Sequence, residues 1–239
     1  MMVETASAAQ RAHRVVRSFV RREGRITPAQ EQALARLWPR YGFAMPDPSA
    51  PVMPFDPHAI YGRLAPLSIE IGFGNGEALA NRAAARPQDD FFGIEVHRPG
   101  VGRLLQRAEQ LDLGNLRVAC ADAVTMLRDA LPAASVDEVM IFFPDPWPKK
   151  RHHKRRLIQP EFARLLVRVL KPGGRLRLAT DWADYARHML GVLEAEPELV
   201  NGAGAGTFLP GPRDRPPTRF EQRGLQLGHE VFDLEYRRR

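Results

Sequence analysis

One stretch of the chain concentrates residues able to do chemistry: Phe142-Phe143-Pro144-Asp145-Pro146-Trp147-Pro148-Lys149-Lys150-Arg151-His152-His153-Lys154-Arg155-Arg156. One carboxylate and one indole stand in a proline-stiffened turn, and six cationic side chains and two histidines follow directly. Unpaired charges are expensive to bury, so a run this dense has to meet solvent or a polyanion. A merely solvated helix face has no use for prolines, which fix backbone angles and remove donors. The composition reads as a site loop joined to a grip for an anionic polymer.

Other acids share the position of Asp145 at the end of an apolar run. Glu70 lies near the end of Leu67–Ile71, Glu95 ends Gly93-Ile94-Glu95-Val96, Asp122 follows Ala121, and Asp181 follows Thr180. After the first run comes Gly72-Phe73-Gly74-Asn75-Gly76, a turn in which Gly72 and Gly74 let a ligand approach the backbone. A dinucleotide fingerprint wants a third glycine one position beyond Gly76, where Glu77 stands instead. Its negative charge at a helix start opposes a pyrophosphate. A ligand without phosphate fits better. S-adenosylmethionine is one, with an adenosine, a sulfonium cation and an amino-acid tail. Glu95 lies about 20 residues past the glycines, where a carboxylate can accept both ribose hydroxyls. Asp122 can accept from the adenine amino group, and Glu70 and Asp145 can face the ammonium and sulfonium end.

The elements that must position these residues alternate. Strands are predicted at Leu67–Ile71, Phe91–Val96, Leu116–Ala121, Val136–Phe143 and Arg175–Ala179. Helices are predicted at Glu77–Ala85, Gly100–Leu111, Val124–Leu131, Pro160–Leu170 and Tyr185–Glu194. That order implies an α/β fold with a doubly wound, mostly parallel sheet, whose ligands sit at the carboxyl ends of the strands. Lys171-Pro172-Gly173-Gly174 reads as a helix stop. Residues 201–217 are rich in Gly and Pro, and Arg219–Arg223 with Val231–Tyr236 form a candidate antiparallel pair at the sheet edge. Upstream, residues 1–26 form a basic arm. Thr27-Pro28-Ala29-Gln30 is a capping box opening a helix towards Trp38. Prolines at 46, 48, 51, 54 and 57 mark an extended linker. The expected division is 1–57, a basic arm, short helix and Pro-rich linker, and 58–239, the ligand-binding domain.

Composition narrows the function classes. Across 239 residues, 35 Lys+Arg against 28 Asp+Glu give a net charge of +7, a footprint for nucleic acid or an anionic surface. A single cysteine, Cys120, excludes an intrachain disulfide and favours a reducing, cytoplasmic setting. No run approaches the ~20 apolar residues of a membrane span. There is no Walker phosphate loop and no paired-histidine metal motif, so no metal is expected. Cys120 lies inside a predicted strand and reads as a buried structural thiol, not a nucleophile.

The glycine turn with Glu70, Glu95 and Asp122 resembles class I S-adenosylmethionine-dependent methyltransferases. The segment from Phe143 to Arg156 resembles one family among them, the bacterial tRNA (guanine-N7-)-methyltransferases. So do Thr218-Arg219-Phe220-Glu221-Gln222-Arg223-Gly224 with Gly228-His229, Arg17–Arg22, and Trp38-Pro39-Arg40-Tyr41-Gly42. The resemblance implies a Rossmann-like seven-stranded sheet with an antiparallel edge hairpin, and tRNA as the partner. It makes Glu70, Gly72, Gly74, Glu95, Asp122 and Asp145 the cofactor-binding residues, with Asp145 also catalytic. It assigns Lys149, Asp181, Thr218, Arg219, Phe220 and Glu221 to the substrate nucleotide, and Arg151, His152, His153, Lys154, Arg155 and Arg156 to RNA. It leaves monomer or homodimer open. Two alternatives share these features: an amino-group methylase, whose Asn/Asp-Pro-Pro-aromatic turn Pro144-Asp145-Pro146-Trp147 approximates, and a non-catalytic RNA-binding protein on the same fold.

Overall fold

The structure, a computed structural model, describes residues 24–45, 55–210, 221 and 230–239. Seven strands form one sheet: β1 (Leu67–Ile71), β2 (Asp90–Glu95), β3 (Leu116–Cys120), β4 (Val136–Phe142), β5 (Leu170–Thr180), β6 (Leu199–Asn201) and β7 (Phe232–Arg238). Their spatial order is β3-β2-β1-β4-β5-β7-β6. The first five run parallel, and β7 lies antiparallel between β5 and β6. The chain winds outward from β1 in one direction and from β4 in the other. The crevice between those two strands is the switch point at which such sheets hold ligands.

The connecting segments are α3 (Glu77–Ala85), α4 (Arg98–Gln110), α5 (Ala123–Thr125) with a π turn over Met126–Ala130, α6 (Pro160–Val169) and α7 (Ala183–Glu194), preceded by α1 (Pro28–Tyr41) and α2 (Pro57–Tyr61). The capping box forms as expected: the Gln30 amide donates to the Thr27 hydroxyl and the Thr27 amide to the Gln30 side chain, at 3.3 and 2.9 Å. The expected helix Val124–Leu131 is mostly the π turn, closed by the Leu131 amide on the Met126 carbonyl at 3.1 Å.

The face of the sheet formed by Ile69, Phe92, Ile94, Val139, Ile141, Leu176, Leu178 and Leu234 is apolar and packs under α6 and α7. On the opposite face α1, α3 and α4 cover β2 and β3, and a smaller apolar cluster of Met140, Phe142, Ala179 and Val231 lies at β4 and β5. α1 buries Ala33, Leu34, Leu37 and Tyr41 there, and the Phe43 amide then bonds the Val118 carbonyl at 2.8 Å. Beyond β1 this face also carries buried charge. Glu138 is buried among Arg86, Arg175 and Arg177 at 3.6, 3.0 and 3.6 Å, which keeps the buried carboxylate paired.

One expectation needs correction. Leu170–Gly174 is the first part of β5 and not only a helix stop: α6 ends at Val169, Leu170 already pairs with Val136, and the ladder shifts before Glu138 meets Arg175. Gly173, at φ +76°, sits in that irregularity, where a left-handed residue is needed. β7 lies near the other end of the sheet. Its partners are β5 and the segment 199–209, through β6, the Gly202 amide on Glu235 and the Leu209 amide on Asp233. The expected pairing of this strand with Arg219–Arg223 falls outside the described residues. Of those residues only Glu221 is described, and it is helical.

Candidate active site

The five expected acids stand at one edge of the sheet in the spatial order Asp122, Glu95, Glu70, Asp145, Asp181, one for each parallel strand. With strands about 4.8 Å apart, the row spans roughly 19 Å, the length of an extended nucleoside with its tail and a second base.

The left half is a closed, bonded turn. Gly72, Gly74 and Gly76 have φ of 74, 60 and 74°, left-handed values that glycine adopts without strain. The Gly72 amide donates to the Ile94 carbonyl at 2.8 Å. Glu95, nearly buried, accepts from three backbone amides: Gly74 at 3.0 Å, Val96 at 2.7 Å and His97 at 2.9 Å. One carboxylate thus ties the glycine turn to the start of α4. Helix and turn touch so closely that a Cβ at Gly100 would lie 2.1 Å from the Gly74 carbonyl oxygen. At Gly72 and Gly74 the situation reverses, because a Cβ there would meet nothing within 4 Å. That open surface is a cradle, and carboxylates flank it. It suits a ligand with hydroxyls and positive charge better than a phosphate. Asp122 caps α5, accepting from the Val124 amide at 3.1 Å. Glu70 is buried and faces Arg82. Burial lowers the Arg82 guanidinium from its ordinary range, and the Glu70 and Glu138 carboxylates oppose the shift.

The right half has a different construction. The loop after β4 turns through left-handed residues that are not glycine: Phe143 at φ 53° and Trp147 at φ 45°. Such bulky residues resist this region, so surrounding contacts must hold them. The Phe143 amide donates to the Ala179 carbonyl at 2.8 Å, tying the loop to β5. The Arg155 guanidinium lies over the Trp147 ring, 4.1 Å from its centroid, and His152 meets the ring edge-on at 5.9 Å. Between the two left-handed residues, Asp145 is exposed at the mouth of the crevice.

Lys150–Arg155 form a 3-10 turn. Lys149, Lys150, Arg151 and Lys154 are exposed, while His152, His153 and Arg155 are half-buried. Loss of hydration and the neighbouring cations hold His152 below its ordinary range. Arg156 departs from its expected place among the RNA-facing cations. Its side chain is 1% exposed and turned inward, with Nε donating to the Pro146 carbonyl at 2.9 Å and Nη2 to Asp184. A guanidinium in that position is not available to a phosphate.

Asp181 is half-buried where β5 passes into α7. Beside it stands Trp182, 39% exposed, with its amide bonded to the Thr180 hydroxyl at 3.2 Å. Sequence reading passed over Trp182. The signal was an aromatic next to a strand-end acid. Cys120 is half-buried at the end of β3, opposite Glu95, and not fully enclosed as expected. Glu221 is buried, and Thr218, Arg219 and Phe220 lie outside the described residues. Among the described residues no group of three His, Cys, Asp or Glu is arranged to hold a metal ion, and no helix is long and apolar enough to cross a membrane.

Comparison with known proteins extends these observations. A family model described as "Putative methyltransferase" matches residues 64–234. The tRNA (guanine-N(7)-)-methyltransferase of Alkalilimnicola ehrlichii is 55% identical over 237 residues, 99% of this chain and 98% of that protein. That of Pseudomonas aeruginosa is 51% identical over 228 residues, 95% and 91% of the two chains. Among solved structures, the 16S rRNA methyltransferase KamB superposes with a TM-score of 0.55 at 16% identity, covering 79% of this chain and 96% of its own, a likeness of fold. Identity above one half, sustained from end to end, is decisive: the chain belongs to the tRNA (guanine-N(7)-)-methyltransferase family.

Proposed function

We propose that the protein transfers a methyl group from S-adenosyl-L-methionine to N7 of a guanosine in the variable loop of tRNA. The observation that carries this reading is the row of five strand-end acids running into a basic turn at Asp145. When bound, S-adenosyl-L-methionine supplies an electrophilic methyl group on a sulfonium. Glu95 and Asp122 hold the adenosine end, and Glu70 and Asp145 face the charged end.

Guanine N7 carries an in-plane lone pair, so the residues around it need not remove a proton before attack. Their work is to bring nucleophile and methyl group into line, which accounts for much of the barrier in such reactions. Methylation leaves the guanine cationic. Asp145 and Asp181, on the two strands past the switch point, stabilise that developing charge. Asp145 acts by charge and orientation and not as a general base. Lys149 contacts the guanine, and Trp147 backs the extruded base. Glu221, with Thr218, Arg219 and Phe220, completes the nucleotide site. Arg151, His152, His153, Lys154 and Arg155 follow the phosphates, and Asp181 and Trp182 face the base from β5. The tRNA substrate puts this activity in the cytoplasm.

The test is transfer of labelled methyl groups from S-adenosyl-L-methionine to unmodified tRNA, followed by borohydride–aniline cleavage. The reading requires cleavage at a variable-loop guanosine. Label on an exocyclic amino group, or no transfer, would overturn it.

A further inference from the structure

The guanidinium of Arg156 touches three separate parts of the site. Its Nε donates to the carbonyl of Pro146, the residue after Asp145, at 2.9 Å. Its Nη2 donates to the carboxylate of Asp184, three residues beyond Asp181, and lies 3.1 Å from His153 Nε2. Its central carbon stands over the Tyr185 ring at 4.9 Å, and burial pushes that phenol up to about 12, so it stays a neutral platform. The Tyr185 hydroxyl in turn accepts from the Ile158 amide at 3.2 Å, two residues beyond Arg156. The side chain is enclosed at the end of a run whose Lys149, Lys150, Arg151 and Lys154 are exposed.

We propose that Arg156 is a positioning residue for methyl transfer. It fixes the loop bearing Asp145 against the start of α7, and so fixes the spacing between Asp145 and Asp181. The backbone at Phe143 and Trp147 is strained and does not hold the loop unaided. The rigid fork of an arginine reaches a carbonyl and a carboxylate together, which a lysine ammonium on a flexible stem does not reproduce. Its contribution is to geometry, while the other cations of the run contribute to RNA affinity. This assignment rests on the methyl-transfer reading above.

The experiment compares Arg156→Lys, Asp184→Asn and Lys154→Ala with the wild type, measuring melting temperature, tRNA affinity at several salt concentrations, and single-turnover methyl transfer at saturating tRNA and S-adenosyl-L-methionine. Arg156→Lys keeps the charge. It is expected to slow transfer about ten- to a hundredfold while tRNA affinity and its salt slope stay unchanged. Asp184→Asn moves the rate the same way by less. Lys154→Ala moves affinity and lowers the salt slope by about one. Three results would overturn the proposal: wild-type transfer rates in Arg156→Lys, a lowered salt slope in that variant with its saturated rate intact, or a fall in melting temperature with normal turnover per folded molecule. No transfer by the wild type sinks the parent reading, which separates that failure from this one.

Discussion

Two loops meet at the same edge of the sheet, and both need left-handed backbone. The turn after β1 obtains it from Gly72, Gly74 and Gly76. The loop after β4 obtains it from Phe143 and Trp147, residues for which that region costs about 1–2 kcal/mol each. The glycine turn is therefore relaxed, and one carboxylate, Glu95, is enough to order it. The proline loop is strained and clamped from β5, from the basic turn and from Arg156. The difference follows the division of labour. The donor side must leave space beside its backbone, so side chains are absent. The acceptor side must present an indole and a carboxylate at set positions, so side chains stay and strain is accepted.

The most damaging change on the relaxed side is Glu95→Ala. It strips three backbone amides of their acceptor and, on the proposed reading, removes the ribose partner as well. Stability should fall by about 3 kcal/mol, and binding of S-adenosyl-L-methionine should weaken more than a hundredfold by calorimetry. Unchanged binding would mean that the carboxylate serves only the turn. Gly74→Ala is a gentler test of the same side. A methyl at φ 60° strains the backbone by about 1–2 kcal/mol and projects into the open cradle. KM for the methyl donor should rise about tenfold, with KM for tRNA unaffected. On the strained side, Trp147→Gly separates the two costs. Relief of the backbone offsets the lost ring packing, so melting temperature should change little while kcat/KM for tRNA falls about tenfold, roughly the worth of one base–aromatic stack. A large drop in stability would make the indole a packing residue.

Much of this edge was legible in the sequence because its signals are local. A strand ends where an apolar run gives way to an acid, and a left-handed turn announces itself through glycine. For that reason Leu67–Ile71 and Glu77–Ala85 were read at their observed limits. The other loop hid its geometry, since Phe143 and Trp147 carry no mark of left-handed backbone. Arg156 was indistinguishable from its neighbours, because its burial depends on Asp184 and Tyr185, which are distant in sequence. Glu95 was read for its ligand and not for the backbone amides it ties together. The place of β7 depends on pairing with residues 199–209, a contact that alternation in a short strand does not specify.

The smallest effect concerns acid. The hydrogen bond from Arg156 holds the Asp184 carboxyl below its ordinary value. A depressed carboxylate contributes stability above its unfolded value, about 3.9, and loses it as pH falls through the lower folded one. Wild type and Asp184→Asn should therefore differ in melting temperature by a constant small margin at pH 5 and above, and the margin should shrink progressively as pH falls below about 4. A margin that stays constant down to the acid limit of folding would show that the carboxylate's charge is not what anchors the clamp.

The central claim is that Asp145 serves methyl transfer by charge and position at the join of the two loops. The direct measurement is single-turnover methyl transfer by Asp145→Asn at saturating tRNA and S-adenosyl-L-methionine, with the affinity of each measured separately. The isosteric amide keeps the shape of the site and removes the charge that faces the developing cation. A fall of about a hundredfold or more in the transfer rate is predicted, with tRNA affinity retained. A rate equal to that of the wild type would contradict the account.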